Sequence, residues 1–503
     1  MTDSRSTPPE GGRPKVAKPK ARLPRGFRDR WAGEIAAERQ VIETIRRVYE
    51  AYGFQPLETP AFEYTDALGK FLPDVDRPNE GVFSLRDDDG EWLSLRYDLT
   101  APLARHVAAN FQNLAKPYRR YQVGPVWRNE KPGPGRYREF LQFDADTVGS
   151  ASPSADAELL MMLADTFEAL GLKRGEYVVK LNSRKLLDGV LEKAGIVNDP
   201  VKRGVVLRAV DKLDRLGLDG VTQLLGDGRK DASGDFTKGA GLSADQVAMV
   251  VRFMAVKPKA STVEGLTEWW QEVIPNQQLI DPQSPGIIEI SQILQLINAT
   301  GYQDRIVLDS STIRGLDYYT GAVFEAQLTF PVQNEAGETV VFGSVAGGGR
   351  YDDLVARFTG QTVPATGVSI GVSRLISALS SRGLSGELAP LVVVTVMDKA
   401  EAARSFQMVS ELRQAGIRAE AYVGTQKFGD QMKYADKRGA AIAVIEGGDE
   451  RASGEVTLKD LALGAELAKS VESRAAWVAN REAQITVDRA NLVSQVKAML
   501  SKS

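Results

Sequence analysis

At 503 residues and 43% hydrophobic content, the chain is long enough to bury several cores, about two to four domains of ordinary size. It has no cysteine and a single histidine, His106. Disulfides, iron–sulfur clusters and thiolate zinc sites are therefore excluded, and a multi-histidine metal site or a Ser-His-Asp hydrolase relying on a second histidine is hard to build. A net charge of -3 is unlike a small DNA-binding module that is basic all over, so DNA is not an expected partner and any nucleic-acid contact is local. No stretch approaches the roughly 18 apolar residues of a spanning helix, and the first residues lack the apolar core of a secretory signal. A cytoplasmic protein without membrane contact is expected.

Residues 1–22 combine Pro8, Pro9, Gly11, Gly12, Pro14 and Pro19 with Arg5, Arg13, Lys15, Lys18, Lys20 and Arg22. With almost nothing apolar to bury, this reads as a disordered basic tail. From Trp31 to Tyr52, Ile35, Val41, Ile42, Ile45, Val48 and Tyr49 recur near helical spacing, and Gly53 stands where a helix-terminating glycine belongs. His106 is expected in a helix, in a structural role. Strand patterns cover Tyr121–Arg128 and Arg138–Thr147, joined through a Pro- and Gly-rich loop, and predict a long-looped antiparallel hairpin. Further strand-like runs at 177–182, 305–309, 322–330, 340–345 and 367–372 predict an α+β domain over 23–195 and 277–386, with a mixed, largely antiparallel sheet flanked by helices. Between them, 196–276 reads as a helical insertion through Val205, Val206, Val210, Leu213 and Leu216, with a Gly/Asp/Lys-rich loop from Gly226 to Gly241. Over 387–503 a βαβαβ pattern, from Leu391–Met397 to Ala441–Ile445, predicts a small parallel α/β domain.

Charge concentrates at the hairpin tip, in Arg128, Glu130, Lys131, Arg136, Arg138 and Glu139. Strand periodicity puts Phe140, Gln142, Asp144 and Asp146 on one face and Leu141, Phe143 and Ala145 on the other. A polar strand face beside arginines suits a phosphate-bearing ligand, because guanidinium groups pair bidentately with phosphate oxygens. A solvated hairpin with incidental ion pairs fits the same residues equally well.

Arg128–Phe140 resembles motif 2 of class II aminoacyl-tRNA synthetases, and specifically the histidyl-tRNA synthetase family. Arg314–Gly321 with Val323–Glu325, and Gly347–Asp352, resemble two signatures of that family, and Gly367–Leu375 resembles motif 3. Leu95–Thr100 and Tyr434–Gly439 match as well, so the likeness spans about 24–500. It implies a class II catalytic domain, a C-terminal anticodon-binding domain over 387–503 and a homodimer built on motif 1. The implied activity is ATP-dependent conversion of L-histidine to histidyl-adenylate, followed by transfer to the 3′ end of tRNA(His).

By that resemblance, ATP is held by Arg128, Glu130, Arg136, Phe140 and Arg374, with Phe140 stacked on adenine. Histidine is held by Asp98, Thr100, Gln142, Asp146, Arg314, Tyr318, Tyr319 and Tyr351. A carboxylate and a phenol at the two ring nitrogens suit neutral imidazole, which offers one donor and one acceptor. Arg314, Arg128 and Gln142 are the implied catalytic residues, Arg314 stabilising charge on the α-phosphoryl oxygens. Mg²⁺ is expected on the β- and γ-phosphates, with no protein ligand assigned. Lys427, Lys433, Lys437 and Arg438 suit phosphate contacts in the final domain or an ordinary solvated helix face.

The chain departs from the family where Lys131–Pro132–Gly133 replaces Arg-Pro-Gln. Gly133 has no side chain for the extra 5′ nucleotide of the tRNA, so weak dependence on that nucleotide is expected. Leu141 and Ser373 also depart, Ser373 standing where a glutamate is usual. The alternative reading is a non-catalytic histidine-binding paralogue, the regulatory subunit of ATP phosphoribosyltransferase. Such proteins tend to lose the ATP arginines and the terminal domain.

Overall fold

The computed structural model describes residues 20–68, 81–132, 137–196, 199–230, 234–274, 284–313, 318–333, 339–380, 388–470 and 483–501. The basic tail of the sequence reading thus lies almost wholly outside the described residues. The chain divides into two units, 1–386 and 387–503.

Eight strands of the first unit form one sheet: β1 (Gln55–Pro56), β2 (Tyr118–Trp127), β3 (Glu139–Val148), β4 (Tyr177–Ser183), β5 (Ile306–Leu308), β6 (Ala322–Gln333), β7 (Thr339–Arg350) and β8 (Ala365–Gly371). Their spatial order is β1, β2, β3, β8, β7, β6, β4, β5. The five inner pairings are antiparallel, and the two edge pairings, β1 with β2 and β5 with β4, are parallel. This is the mixed, largely antiparallel sheet predicted from the strand patterns.

Alternation decides which face of β3 is covered. Phe143 and Ala145, both 0% exposed, join a core with Tyr49, Leu159, Leu163 and Phe167. Tyr49 comes from the helix Ala32–Ala51 and meets Phe143 edge-on, with ring centroids 5.0 Å apart. After that helix, Gly53 at φ 81 takes a left-handed conformation that a side chain disfavours and turns the chain toward β1. The helix Pro153–Ala169 supplies Leu159, Leu163 and Phe167. It begins where Ser152 Oγ accepts from the Ser154 N–H at 3.3 Å and Pro153 fills the first turn, a start that satisfies one orphan donor and omits another. Truncating Phe143 to alanine in this layer would cost about 3–5 kcal/mol.

Within 196–276 lie the helices Pro200–Val210, Leu213–Leu225, Ala244–Ala255 and Val263–Val273. Val206, Val221, Phe253 and Trp269 from these helices belong to the same apolar cluster as the sheet. The segment read as a Gly/Asp/Lys-rich loop instead contains a two-stranded ribbon, Gly228–Lys230 with Phe236–Lys238. A Cβ on Gly239 would lie 2.1 Å from Gly226 O. The glycines there allow close backbone approach, which sequence composition alone does not distinguish from an open loop.

The second unit carries β9 (Leu391–Val394), β10 (Ala419–Ala421), β11 (Ala440–Ile445), β12 (Glu455–Asp460) and β13 (Gln484–Asp488), in the order β10, β9, β11, β12, β13. The first three are parallel, as the βαβαβ pattern predicted, and β12 and β13, beyond the last strand of that pattern, add to them antiparallel. From Ile445 to Glu455 the connection is only a short helix, Gly448–Ser453. A parallel crossover takes about a dozen residues or more, so the chain returns antiparallel. Among the described residues no helix is long and apolar enough to cross a membrane.

Candidate active site

The face of β3 turned away from the core carries Phe140, Gln142, Asp144 and Asp146. Asp144 and Asp146 are each 2% exposed. Two carboxylates desolvated on one strand need a cation, and the hairpin register supplies it. Arg120 of β2 lies opposite Asp146, is 0% exposed, and places Nη2 2.8 Å from Asp146 Oδ2. The Tyr351 hydroxyl donates to Asp146 Oδ1. One residue pair further along β3, Gln142 Nε2 donates to Ser369 Oγ of β8 at 2.9 Å, while Gln142 Oε1 has no partner among the described residues.

Arg120 Nη2 also donates to the Leu99 carbonyl at 2.9 Å, so the same guanidinium touches the turn formed by residues 98–100. In that turn Asp98 Oδ1 accepts from the Thr100 and Ala101 N–H groups at 3.2 and 3.0 Å, starting the helix Thr100–Asn110 with a carboxylate at its positive end. Burial raises the carboxyl pKa of Asp98, Asp144 and Asp146. For Asp144 burial, reinforced by the charge of Asp146 and opposed by Arg120, pushes it up to about 8. For Asp98 the two backbone hydrogen bonds and Arg128 oppose the rise. For Asp146 the opposition comes from Arg120 and the Tyr351 hydroxyl.

Aromatic rings line the remaining side. Tyr318 and Tyr319 lie with ring centroids 4.7 Å apart, and Tyr318 meets Tyr351 edge-on at 6.0 Å. Close backbone approach requires glycine at two points here. A Cβ on Gly367 would lie 1.9 Å from Asp146 Oδ1, and one on Gly349 would lie 2.9 Å from the Tyr319 ring. Toward the loop end of β3, the Arg128 guanidinium lies 5.1 Å from the centroid of Phe140, and its Nε donates to the Tyr97 carbonyl at 3.2 Å. The arginine–phenyl pair is thereby attached to the turn that carries Asp98.

The site residues named from the sequence thus fall into two neighbouring groups. Asp98, Thr100, Gln142, Asp146, Tyr318, Tyr319 and Tyr351 surround the carboxylate end, and Arg128 with Phe140 stands beside it. Glu130 is exposed, and its carbonyl accepts from Arg138 Nε at 3.0 Å. Arg374 is exposed on the helix Val372–Ser380. That helix is fastened beside Phe140 by the Leu141 N–H donating to Ser373 Oγ at 3.1 Å, so the two departures from the family pattern bond to each other. Arg136, Arg314 and Gly133 lie outside the described residues. His106 sits in the helix Thr100–Asn110 with its ring 6.3 Å from that of Tyr118.

Two functional candidates went unread in the sequence, Arg120 and the acid–base state of Asp144. Counting the pairing back from the hairpin loop would have set Arg120 opposite Asp146. In the second unit Arg438 is committed to Glu420, with Nε and Nη2 contacts of 3.0 and 2.9 Å. Lys427, Lys433 and Lys437 remain exposed. No group of three or more His, Cys, Asp or Glu among the described residues is arranged to hold a metal ion.

The family model described as Histidyl-tRNA synthetase matches residues 26–375, and the one described as Anticodon binding domain matches residues 391–499. Curated relatives named Histidine–tRNA ligase include that of Rhizobium rhizogenes, 57% identical over 496 residues and 97% of each chain. That of Rhizobium meliloti is 56% identical over 496 residues and 97% of each chain. Among solved structures, histidyl-tRNA synthetase from Nostoc sp. PCC 7120 is similar with a TM-score of 0.69 at 28% identity, covering 96% of this chain and 100% of that one. With a family match running through the whole sheet that carries the site, and relatives of this identity over nearly the full length, the chain belongs to the histidyl-tRNA synthetase family of class II aminoacyl-tRNA synthetases.

Proposed function

We propose that the protein is a histidine–tRNA ligase, which activates L-histidine with ATP and transfers it to the 3′ end of tRNA(His). The observation that carries this reading is the adjacency of the Arg128–Phe140 pair to the carboxylate-lined pocket of Asp98 and Asp146. A planar base and a phosphate suit the first group, and an amino acid with a polar ring suits the second.

Asp98 and Thr100 receive the α-ammonium group, Gln142 faces the carboxylate, and Asp146 with Tyr319 addresses the two imidazole nitrogens, while Tyr318 and Tyr351 wall the pocket. Phe140 stacks on adenine, Glu130 accepts from its amino group, Arg136 serves the γ-phosphate, and Arg374 contacts the far side of the nucleotide. A histidine carboxylate oxygen attacks the α-phosphorus, the bond from that phosphorus to the bridging oxygen breaks, and pyrophosphate leaves. Arg128 and Arg314 stabilise the charge that gathers on the α-phosphoryl oxygens. The terminal ribose hydroxyl of the tRNA then attacks the carbonyl carbon of the adenylate and AMP leaves. Mg²⁺ accompanies the nucleotide, since phosphate oxygens are the hard ligands it prefers. The anticodon-binding match in the second unit supports tRNA(His) as the partner, and the chain is proposed to act in the cytoplasm as a homodimer.

ATP–pyrophosphate exchange tests the reading. Exchange should require histidine and should not appear with proline, threonine or glycine, and purified tRNA(His) should be charged. Histidine binding without exchange would instead favour the non-catalytic regulatory paralogue.

A further inference from the structure

Arg120 has no part in the roles assigned above, yet it is the most completely buried charge at the site. Its side chain is 0% exposed, and only Nη2 is used, lying 2.8 Å from Asp146 Oδ2 as an ion pair and donating to the Leu99 carbonyl at 2.9 Å. Nε and Nη1 find no partner among the described residues. A guanidinium is expensive to bury and usually satisfies all its donors when it only holds a scaffold together. This one is aimed at two acceptors on two different elements, the strand β3 and the turn before the helix Thr100–Asn110. Those elements carry the groups that receive opposite ends of the amino acid, Asp146 for the ring and Asp98 with Thr100 for the ammonium.

We propose that Arg120 is a positioning residue for histidine recognition, clamping Asp146 to the Leu99 carbonyl so that the ring-reading and ammonium-binding ends of the pocket stay at a fixed separation. The proposal rests on the histidine-pocket reading given above. Its physical content is twofold. The rigid planar guanidinium fixes where Nη2 stands between Asp146 and the Leu99 carbonyl, and the charge keeps the carboxylate available as an acceptor for an imidazole N–H. The charged and titratable groups facing Asp146 are Arg120 from β2, Asp144 on its own strand, Asp98 from the turn and Tyr351 beyond β7. Arg120 is the one that favours the ionised form by charge. Tyr351 favours it by hydrogen bonding, and Asp98 opposes it.

Two substitutions separate geometry from charge. Arg120→Lys keeps a positive charge but replaces the rigid planar group with an ammonium on a flexible stem, and Arg120→Met removes the charge at similar bulk. KM for histidine and for ATP is measured in histidine-dependent ATP–pyrophosphate exchange across about pH 6 to 9. Arg120→Lys should raise KM for histidine roughly 10-fold and Arg120→Met roughly 100-fold or more, with KM for ATP within about 2-fold of wild type. In Arg120→Met the histidine KM should also recover only at higher pH than in wild type, because losing the guanidinium raises the Asp146 pKa further. If Arg120→Met does not fold, Arg120→Lys alone decides. An unchanged histidine KM, or equal increases for histidine and ATP, overturns the positioning role. Absence of histidine-dependent exchange in the wild-type protein overturns the underlying reading, and the clamp with it.

Discussion

Arg350 and Arg120 are arginines of the same sheet, 2% and 0% exposed, each paired with a buried aspartate, but their remaining donors differ. Arg350 pairs with Asp156 through Nε at 3.1 Å, and its Nη1 and Nη2 reach the carbonyls of Ser150 and Ser152 at 2.9 and 3.1 Å. Every nitrogen is satisfied, and the pair pins the chain between β3 and the helix Pro153–Ala169 to the end of β7. Arg120 leaves two nitrogens without partners and sits among three aspartates whose carboxyl groups burial pushes up. A buried guanidinium with every nitrogen satisfied reads as scaffold, whereas one with two nitrogens unsatisfied, held at a cluster of carboxyls whose pKa burial raises, reads as a place prepared for a ligand.

The largest loss of stability should come from removing the fully bonded guanidinium of Arg350. Arg350→Met strands Asp156 and two carbonyls, and should lower unfolding free energy by about 3–5 kcal/mol in urea denaturation. A variant as stable as wild type would erase the distinction drawn here. Gly367→Ala sharpens the comparison from the other side, since its Cβ would lie 1.9 Å from Asp146 Oδ1. Its expected cost is about 1–3 kcal/mol, accompanied by a raised KM for histidine. An unchanged KM would show that Asp146 is not held where the imidazole binds.

An effect spread over pH concerns Asp144. In the folded chain its carboxyl holds a proton up to about pH 8, against an ordinary 3.8. Between these values the native state binds the extra proton, so this group's contribution to stability falls as pH rises and levels off above the higher value. Asp144→Asn should remove a slope of at most on the order of 1 kcal/mol per pH unit, making the variant relatively more stable than wild type at alkaline pH. Parallel stability–pH curves for the two proteins would rule out the raised value.

Local periodicity made much of this fold readable. The helix of residues 32–51 and the hairpin of β2 and β3 follow from spacing alone, and so does the split of β3 into an apolar face at Phe143 and Ala145 and a polar face at Gln142 and Asp146. Spacing is blind to pairing across long separations. The antiparallel return of β12, the ribbon in the Gly226–Gly241 segment, and the bond from Tyr351 to Asp146, 205 residues apart in sequence, depend on tertiary register. Arg120 was overlooked for the same reason, because next to Arg119 in a strand it reads as one more surface cation until Asp146 is known to face it. The roles given to Tyr319 and Arg374 came through family resemblance, since nothing in a lone tyrosine or arginine specifies its partner.

Histidine recognition turns on Asp146 as the acceptor that reads the imidazole, and calorimetric titration of histidine into Asp146→Asn protein addresses it directly. Exchanging the carboxylate for an amide should weaken histidine binding about 100-fold or more while ATP binds as in wild type. Histidine affinity equal to that of the wild-type protein would contradict the account.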